Sequence, residues 1–192
     1  MSWVTNNMAA VGTLTLALLS QGDEIVVHQT LYSNTLAMMS GGLPRFGIKV
    51  IAVDLTEPAN LDAVLTARTR IVYFETPVNP TAEVLDIAAI AERAHTVGAI
   101  VVVDSTFASP ALQRPIELGV DLVLHSLTKY INGHSSGASR RYRSAWSDIA
   151  PVPSESRKCS SPIRRSRGSA IRISRRILRM RSRRVRCRAA RE

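Results

Sequence analysis

Four residues in the middle of this 192-residue chain have side chains suited to shared chemistry: Asp104, Ser126, Thr128 and Lys129. The first follows residues 100–103, a β-branched run too short for a helix, and the other three follow residues 121–124, which repeat the pattern. Each run reads as a parallel strand buried on both faces, so both sets stand where a strand ends. Ligands of open α/β sheets bind outside those carboxyl ends. A carboxylate placed there costs free energy unless a cation meets it. Taken singly, Asp104 reads best as a helix N-cap and Lys129 as a solvated surface lysine. Taken together, they meet the needs of a pyridoxal phosphate site: a lysine for the Schiff base, an acid to keep a pyridine nitrogen protonated, and small hydroxyls with backbone N–H groups for a phosphate.

The elements that must position these residues can be read along the chain. Thr5-Asn6-Asn7 caps an apolar periodic segment at residues 8–19 that stops at Gln21-Gly22, which predicts a helix whose N-terminus suits an anion. Residues 23–28 and 47–53 predict strands, with a helix between them that starts near Thr35 and ends at Gly41-Gly42. Residues 54–68 predict a loop and then a helix with Leu61, Val64 and Leu65 on one face. A strand at residues 71–74 ends in Glu75-Thr76-Pro77-Val78-Asn79-Pro80, whose two prolines stop either flanking element from running through. Residues 86–97 predict a helix with Ile87, Ile90, Ala91 and Ala94 inward and Gly98 at its end. Helix and strand alternate from Met8 to His125, which predicts an α/β fold with a mainly parallel sheet covered by helices on both faces. No Gly-x-Gly-x-x-Gly and no Walker sequence follows any strand, and His28, His95, His125 and His134 lack metal-ligand spacing and read as structural. On residue type alone Tyr32 is a packing residue and Asn79 an Asx-turn residue.

The stretch VVVDSTFASPALQRPIELGVDLVLHSLTKYINGH resembles the lysine region of the Cys/Met-metabolism family of pyridoxal 5'-phosphate enzymes, which includes methionine γ-lyase, cystathionine γ-synthase, cystathionine lyases and sulfhydrylases. The resemblance implies the large domain of fold-type I enzymes of this class, here incomplete. It implies that Lys129 bonds to the cofactor, that Asp104 pairs with the pyridine nitrogen, and that Ser126 and Thr128 help hold the phosphate. Thr106 would lie beside the ring near its phenolic edge. Tyr32, in a Leu-Tyr motif, would stack on the ring and take part in catalysis. Asn79 would donate to the phenolic oxygen, with Glu75 close by. Asn7 and Met8 would grip the phosphate through backbone N–H groups, although Asn7 stands where the family usually has glycine. Asn34 takes the place where methionine γ-lyases commonly carry a cysteine. The implied substrate is a sulfur-containing amino acid, used in γ-elimination or γ-replacement and most like methionine γ-lyase, in a homo-oligomer.

Composition divides the chain. Residues 1–135 hold 7 Lys+Arg against 12 Asp+Glu, a net of −5, whereas residues 136–192 hold 18 against 3, a net of +15. The resemblance lies in the first segment and implies that it is a partial cofactor-binding large domain. The second is Arg/Ser-rich without apolar period, as in SRRILRMRSRRVRCRAARE. It reads as an arginine-rich nucleic-acid-binding tail, as a solvated disordered tail, or, the reading preferred, as out-of-frame translation of a GC-rich gene. The family's N-terminal segment and C-terminal domain are expected to be missing, so this chain reads as a fragment, weakly active or inactive. A nucleic-acid-binding protein or a non-functional remnant is the alternative. No run of 18 apolar residues and no signal peptide is visible, and both cysteines, Cys159 and Cys187, lie in the tail. A cytoplasmic protein without a membrane partner is expected.

Overall fold

Short β-branched runs form the strands. The computed structural model describes residues 2–4, 7–126, 128–130 and 169–173. Its strands are β1 (Ser2–Val4), β2 (Glu24–His28), β3 (Lys49–Val53), β4 (Thr69–Glu75), β5 (Ile100–Asp104), β6 (Leu122–Ser126) and β7 (Ser169–Ile173). They make one sheet in the order β1-β7-β6-β5-β4-β2-β3. From β3 to β6 every pairing is parallel, and β7 and β1 extend the β6 side antiparallel. Because β3 lies on one side of β2 and β4 on the other, the chain reverses direction there, and a crevice opens at the carboxyl ends. In register, Glu75 is opposite Asp104 and Asp104 opposite Leu124, which brings three strand ends level.

Side-chain alternation along the strands builds two cores. Ile25, Val27, Ile71, Tyr73, Val102, Leu122 and Leu124 point to one face, where Ala10, Val11 and Leu14 of α1 (Asn7–Leu18) cover them with Met39 and Leu43. Val26, Val72, Phe74, Val101, Val103 and Val123 point to the other, under Ile87, Ile90, Ala91 and Ala94 of α3 (Ile87–Thr96). Phe74 is wholly buried in this second core. Phe74→Ala is expected to cost about 3–5 kcal/mol through lost transfer energy and a cavity, read as a lowered urea midpoint.

The expected α/β architecture is present, with three departures. Residues 54–68 contain a 3-10 helix, Pro58–Ala63, in place of an α-helix. Side-chain bonds compete with the helical ladder there: Asp54 Oδ1 accepts from Thr56 N and Oγ1, and Asn60 Nδ2 donates to the Asp54 carbonyl. Leu61 is still buried, and Val64 and Leu65 still pack on the core, so the apolar face was right and the helix type wrong. After β2, α2 spans only Ser33–Ala37, then a π turn covers Met38–Gly42 and a 3-10 turn Leu43–Phe46. Ser40 Oγ donates back to the Leu36 carbonyl at 2.8 Å, and Gly41, Gly42 and Pro44 loosen the turns beyond it. Gly47, at φ 71°, then turns the chain; a Cβ there would stand 2.7 Å from Gln21 Cγ. Between β5 and β6 the alternation calls for a helix, but only the 3-10 turn Pro115–Leu118 forms, in a segment broken by Pro110 and Pro115.

Elsewhere the helix signals correspond to structure. Asp86 caps α3 by accepting from Ala89 N at 3.0 Å, and Gly98, at φ 76°, ends the chain's helical path. Thr5 and Asn6, read as caps of α1, lie outside the described residues, as does His134. Within the Arg/Ser-rich segment, read as disordered, Ser169–Ile173 form β7, paired in register with β6; the rest of 136–192 lies outside the described residues. No described helix is long and apolar enough to cross a membrane.

Candidate active site

A cavity of about 520 Å³ opens where β2, β4, β5 and β6 end. Asp104, Thr106, Ser126, Thr128 and Lys129 line its β5–β6 side. Tyr32 enters from the β2 loop, Glu75 and Asn79 from the β4 loop, and Asn7 and Met8 from the start of α1. Every site residue that the sequence points to therefore reaches one space, and the acid and the amine face the same cavity rather than opposite sides of the sheet. Asn34, Pro77 and Phe107 line it as well. Of these, Pro77 sits inside the Glu-Thr-Pro-Val-Asn-Pro motif and Phe107 follows Thr106, so adjacency was their signal; Asn34 carries no signal beyond its departure from a family pattern.

Asp104 forms the acid end. It is buried, with 5% of its surface exposed, and it is not a helix cap, since no helix follows it directly. Oδ1 accepts from the Thr106 backbone N at 3.0 Å and also from the Thr106 hydroxyl. Oδ2 accepts from Asn7 Nδ2 at 2.8 Å. Burial pushes the carboxyl pKa up, and the Thr106 and Asn7 donors only partly oppose it. Among the described residues no cation pairs with Asp104, so a protonated ring nitrogen is the kind of group this carboxylate lacks. Two details were not legible in sequence. The Asn7 side chain reaches across 97 positions to Asp104, with its own Oδ1 buried and unpartnered. The Thr106 hydroxyl also accepts from Ser126 N at 2.9 Å, tying β5 to β6 beside Asp104.

The hydroxyls of Ser126 and Thr128 stand 3.0 Å apart on a turn that the Lys129 N to Ser126 carbonyl bond closes at 3.2 Å. Asn7 and Met8, which line the same cavity, open a twelve-residue helix, and an N-terminus of that length suits an anion. Hydroxyls and helix N–H groups suit a phosphate. Lys129 is solvent-exposed on the rim, as its plainer reading required, yet it lines the cavity. Tyr32 is 40% exposed, with Asn34 Nδ2 3.3 Å from its hydroxyl. The donor set, the uncompensated acid and the space fit pyridoxal phosphate.

The described histidines bond to the frame around the cavity rather than lining it. His125 Nδ1–H donates to the Ser105 carbonyl at 2.9 Å, and burial pushes its pKa down to about 4. His28 Nδ1 accepts from Leu55 N at 3.1 Å, and His95 Nε2 meets Asp121 at 3.0 Å. Glu75 is pushed up to about 7, first by burial and then by Asp104. Glu75 and His125 give stability opposite pH slopes. Folding binds a proton at Glu75 between its ordinary 4.5 and about 7, so that contribution declines as pH rises. Folding expels a proton from His125 between 6.5 and about 4, so that contribution declines as pH falls. Glu75→Gln removes the first, and its stability is expected to rise more steeply than the wild type's between about pH 5 and 6.5. Urea midpoints at those two pH values check this.

Comparison with known proteins agrees with the geometry. The family model described as Cys/Met metabolism PLP-dependent enzyme matches residues 2–138. L-methionine gamma-lyase of Pseudomonas deceptionensis is 47% identical over 132 residues, 68% of this chain and 33% of that protein. O-succinylhomoserine sulfhydrylase of Pseudomonas aeruginosa is 41% identical over 132 residues, 69% of this chain and 33% of that protein. Among solved structures, cystathionine gamma-lyase from Lactobacillus plantarum, complexed with L-serine, superposes with a TM-score of 0.66 at 40% identity, covering 68% of this chain and 34% of that one. The fold is thus that of the fold-type I pyridoxal phosphate lyases, in part. The chain spans about a third of the length of these relatives. With its matched stretch running through Asp104, Ser126, Thr128 and Lys129, this chain belongs to the Cys/Met-metabolism family of pyridoxal phosphate-dependent enzymes.

Proposed function

We propose that residues 1–135 are the cofactor-holding part of an enzyme that breaks or exchanges the γ-substituent of a sulfur-containing amino acid, with methionine γ-lyase-like elimination as the leading reaction. The observation that carries this is the sharing of one cavity by Lys129, Asp104 and the Ser126–Thr128 hydroxyl pair. Pyridoxal phosphate bound there supplies an electron sink for negative charge at the substrate α-carbon. Lys129 Nζ would be the amine that holds the cofactor, and it would serve as the general base for the substrate α-proton. Asp104 holds a proton on the ring nitrogen, because an adjacent carboxylate favours the charged form. Ser126, Thr128 and the α1 N-terminus bind the phosphate, and the Tyr32 ring stacks on the pyridine at little entropic cost. Asn79 donates to the phenolic edge. A second copy of the chain completes the assembly, and the cysteine-free 1–135 segment suits the reducing cytoplasm.

The chemistry of the relatives divides between lyase and sulfhydrylase, which sets the test. The full chain, loaded with pyridoxal phosphate, is offered L-methionine, L-cystathionine, and O-succinylhomoserine with sulfide. Release of thiol and 2-oxo acid from methionine supports elimination; formation of a new thiol amino acid from O-succinylhomoserine instead transfers the assignment to replacement. A chain that takes up no cofactor contradicts both.

A further inference from the structure

Glu75 has a position that charge pairing does not explain. It is the last residue of β4, 5% exposed, and it sits in register beside Asp104 of β5. The groups facing it are the Asp104 carboxylate, the buried Tyr73 phenol of its own strand, and two backbone N–H groups. No ion pair reaches it among the described residues. Two enclosed carboxyls side by side without a cation are unfavourable. What Glu75 offers in return is its pair of acceptor oxygens. Oε1 accepts the Tyr32 N–H at 3.0 Å across 43 positions, and the Asn79 backbone N–H favours the charged form of the same carboxyl. Tyr32 follows β2 and Asn79 follows β4, whose last residue is Glu75, so this side chain ties the Tyr32 loop to the strand end from which the Asn79 loop leaves.

We infer that Glu75 is a positioning residue: its carboxyl clips the Tyr32 turn to the Asn79 turn, and so fixes the spacing between the side chain that stacks on the ring and the one that bonds its edge. This rests on the pyridoxal phosphate reading. The clip acts through acceptor geometry, and it has no need of negative charge. A neutral amide oxygen at the same distance does the same work. An acceptor one methylene shorter does not.

The test uses the full chain and pyridoxal phosphate itself, with affinity followed by fluorescence titration and ring orientation by the induced circular dichroism of the bound cofactor. Glu75→Ala is expected to weaken binding about tenfold, the scale of lost hydrogen bonds at a buried site, and to erase most of the induced signal. Glu75→Asp is expected to do the same although it keeps the charge. Glu75→Gln is expected to recover most of both, and to flatten the pH dependence of affinity near neutrality. Wild-type affinity and signal in Glu75→Asp, or a loss in Glu75→Gln as large as in Glu75→Ala, overturns the clip. If the wild type binds the cofactor and the variants do not differ from it, the clip alone fails; if the wild type binds none, the cofactor reading fails with it.

Discussion

Lys129→Ala is expected to lose all covalent retention of pyridoxal phosphate while keeping a cavity that still admits it. The chain has three lysines, Lys49, Lys129 and Lys158. Lys49 lies on β3 and bonds to Glu24 at 3.2 Å, away from the cavity lining. Lys129 is therefore the amine that the described site offers, and no neighbour in its lining can take over. After treatment with borohydride and denaturation, the wild type should carry the reduced cofactor and the variant none. Non-covalent binding should persist in the variant, because the hydroxyl pair, the α1 N-terminus and Asp104 remain. Undiminished covalent labelling of the variant contradicts the assignment.

Asp104→Asn is expected to have an effect of similar severity by a different route. The carboxylate is enclosed, and three donors orient it. Breaking a buried pair by removing one partner costs about 3–5 kcal/mol, so cofactor affinity should fall by about a hundredfold or more. The amide cannot hold the ring nitrogen charged, so α-proton exchange of a bound amino acid, followed by NMR in deuterated water, should fall with it. Asp104→Glu should not restore either, since the longer side chain cannot keep the Thr106 and Asn7 bonds in place. Affinity within about threefold of wild type in Asp104→Asn contradicts the role given to this carboxylate.

What the sequence showed and hid has a physical pattern. Residues 100–103 and 122–124 were legible because a strand buried on both faces demands a continuous apolar run, and Asp104 and Lys129 stand out beyond such runs. Asp86 and Gly98 marked α3 because a cap and a left-handed stop are local. The 3-10 helix Pro58–Ala63 was hidden because its apolar face has nearly the spacing of an α-helix, while the side-chain bonds of Asp54 that decide between them depend on geometry. The missing helix before β6 shows that parallel crossover is a rule of connection; a 3-10 turn met it. Pairings such as Asn7 with Asp104 and Glu75 with the Tyr32 turn span 97 and 43 positions, and no local pattern announces them. Site membership was thus legible from motifs, while the contacts that set the ionisation and spacing of the site were not.

Whether Lys129 is the amine that takes the cofactor is read most directly by peptide mapping by mass spectrometry of the full chain after incubation with pyridoxal phosphate and reduction with borohydride. A single pyridoxyl-phosphate modification is expected, on the peptide carrying Lys129. Modification placed instead on Lys49 or Lys158, or divided evenly among the three, contradicts it.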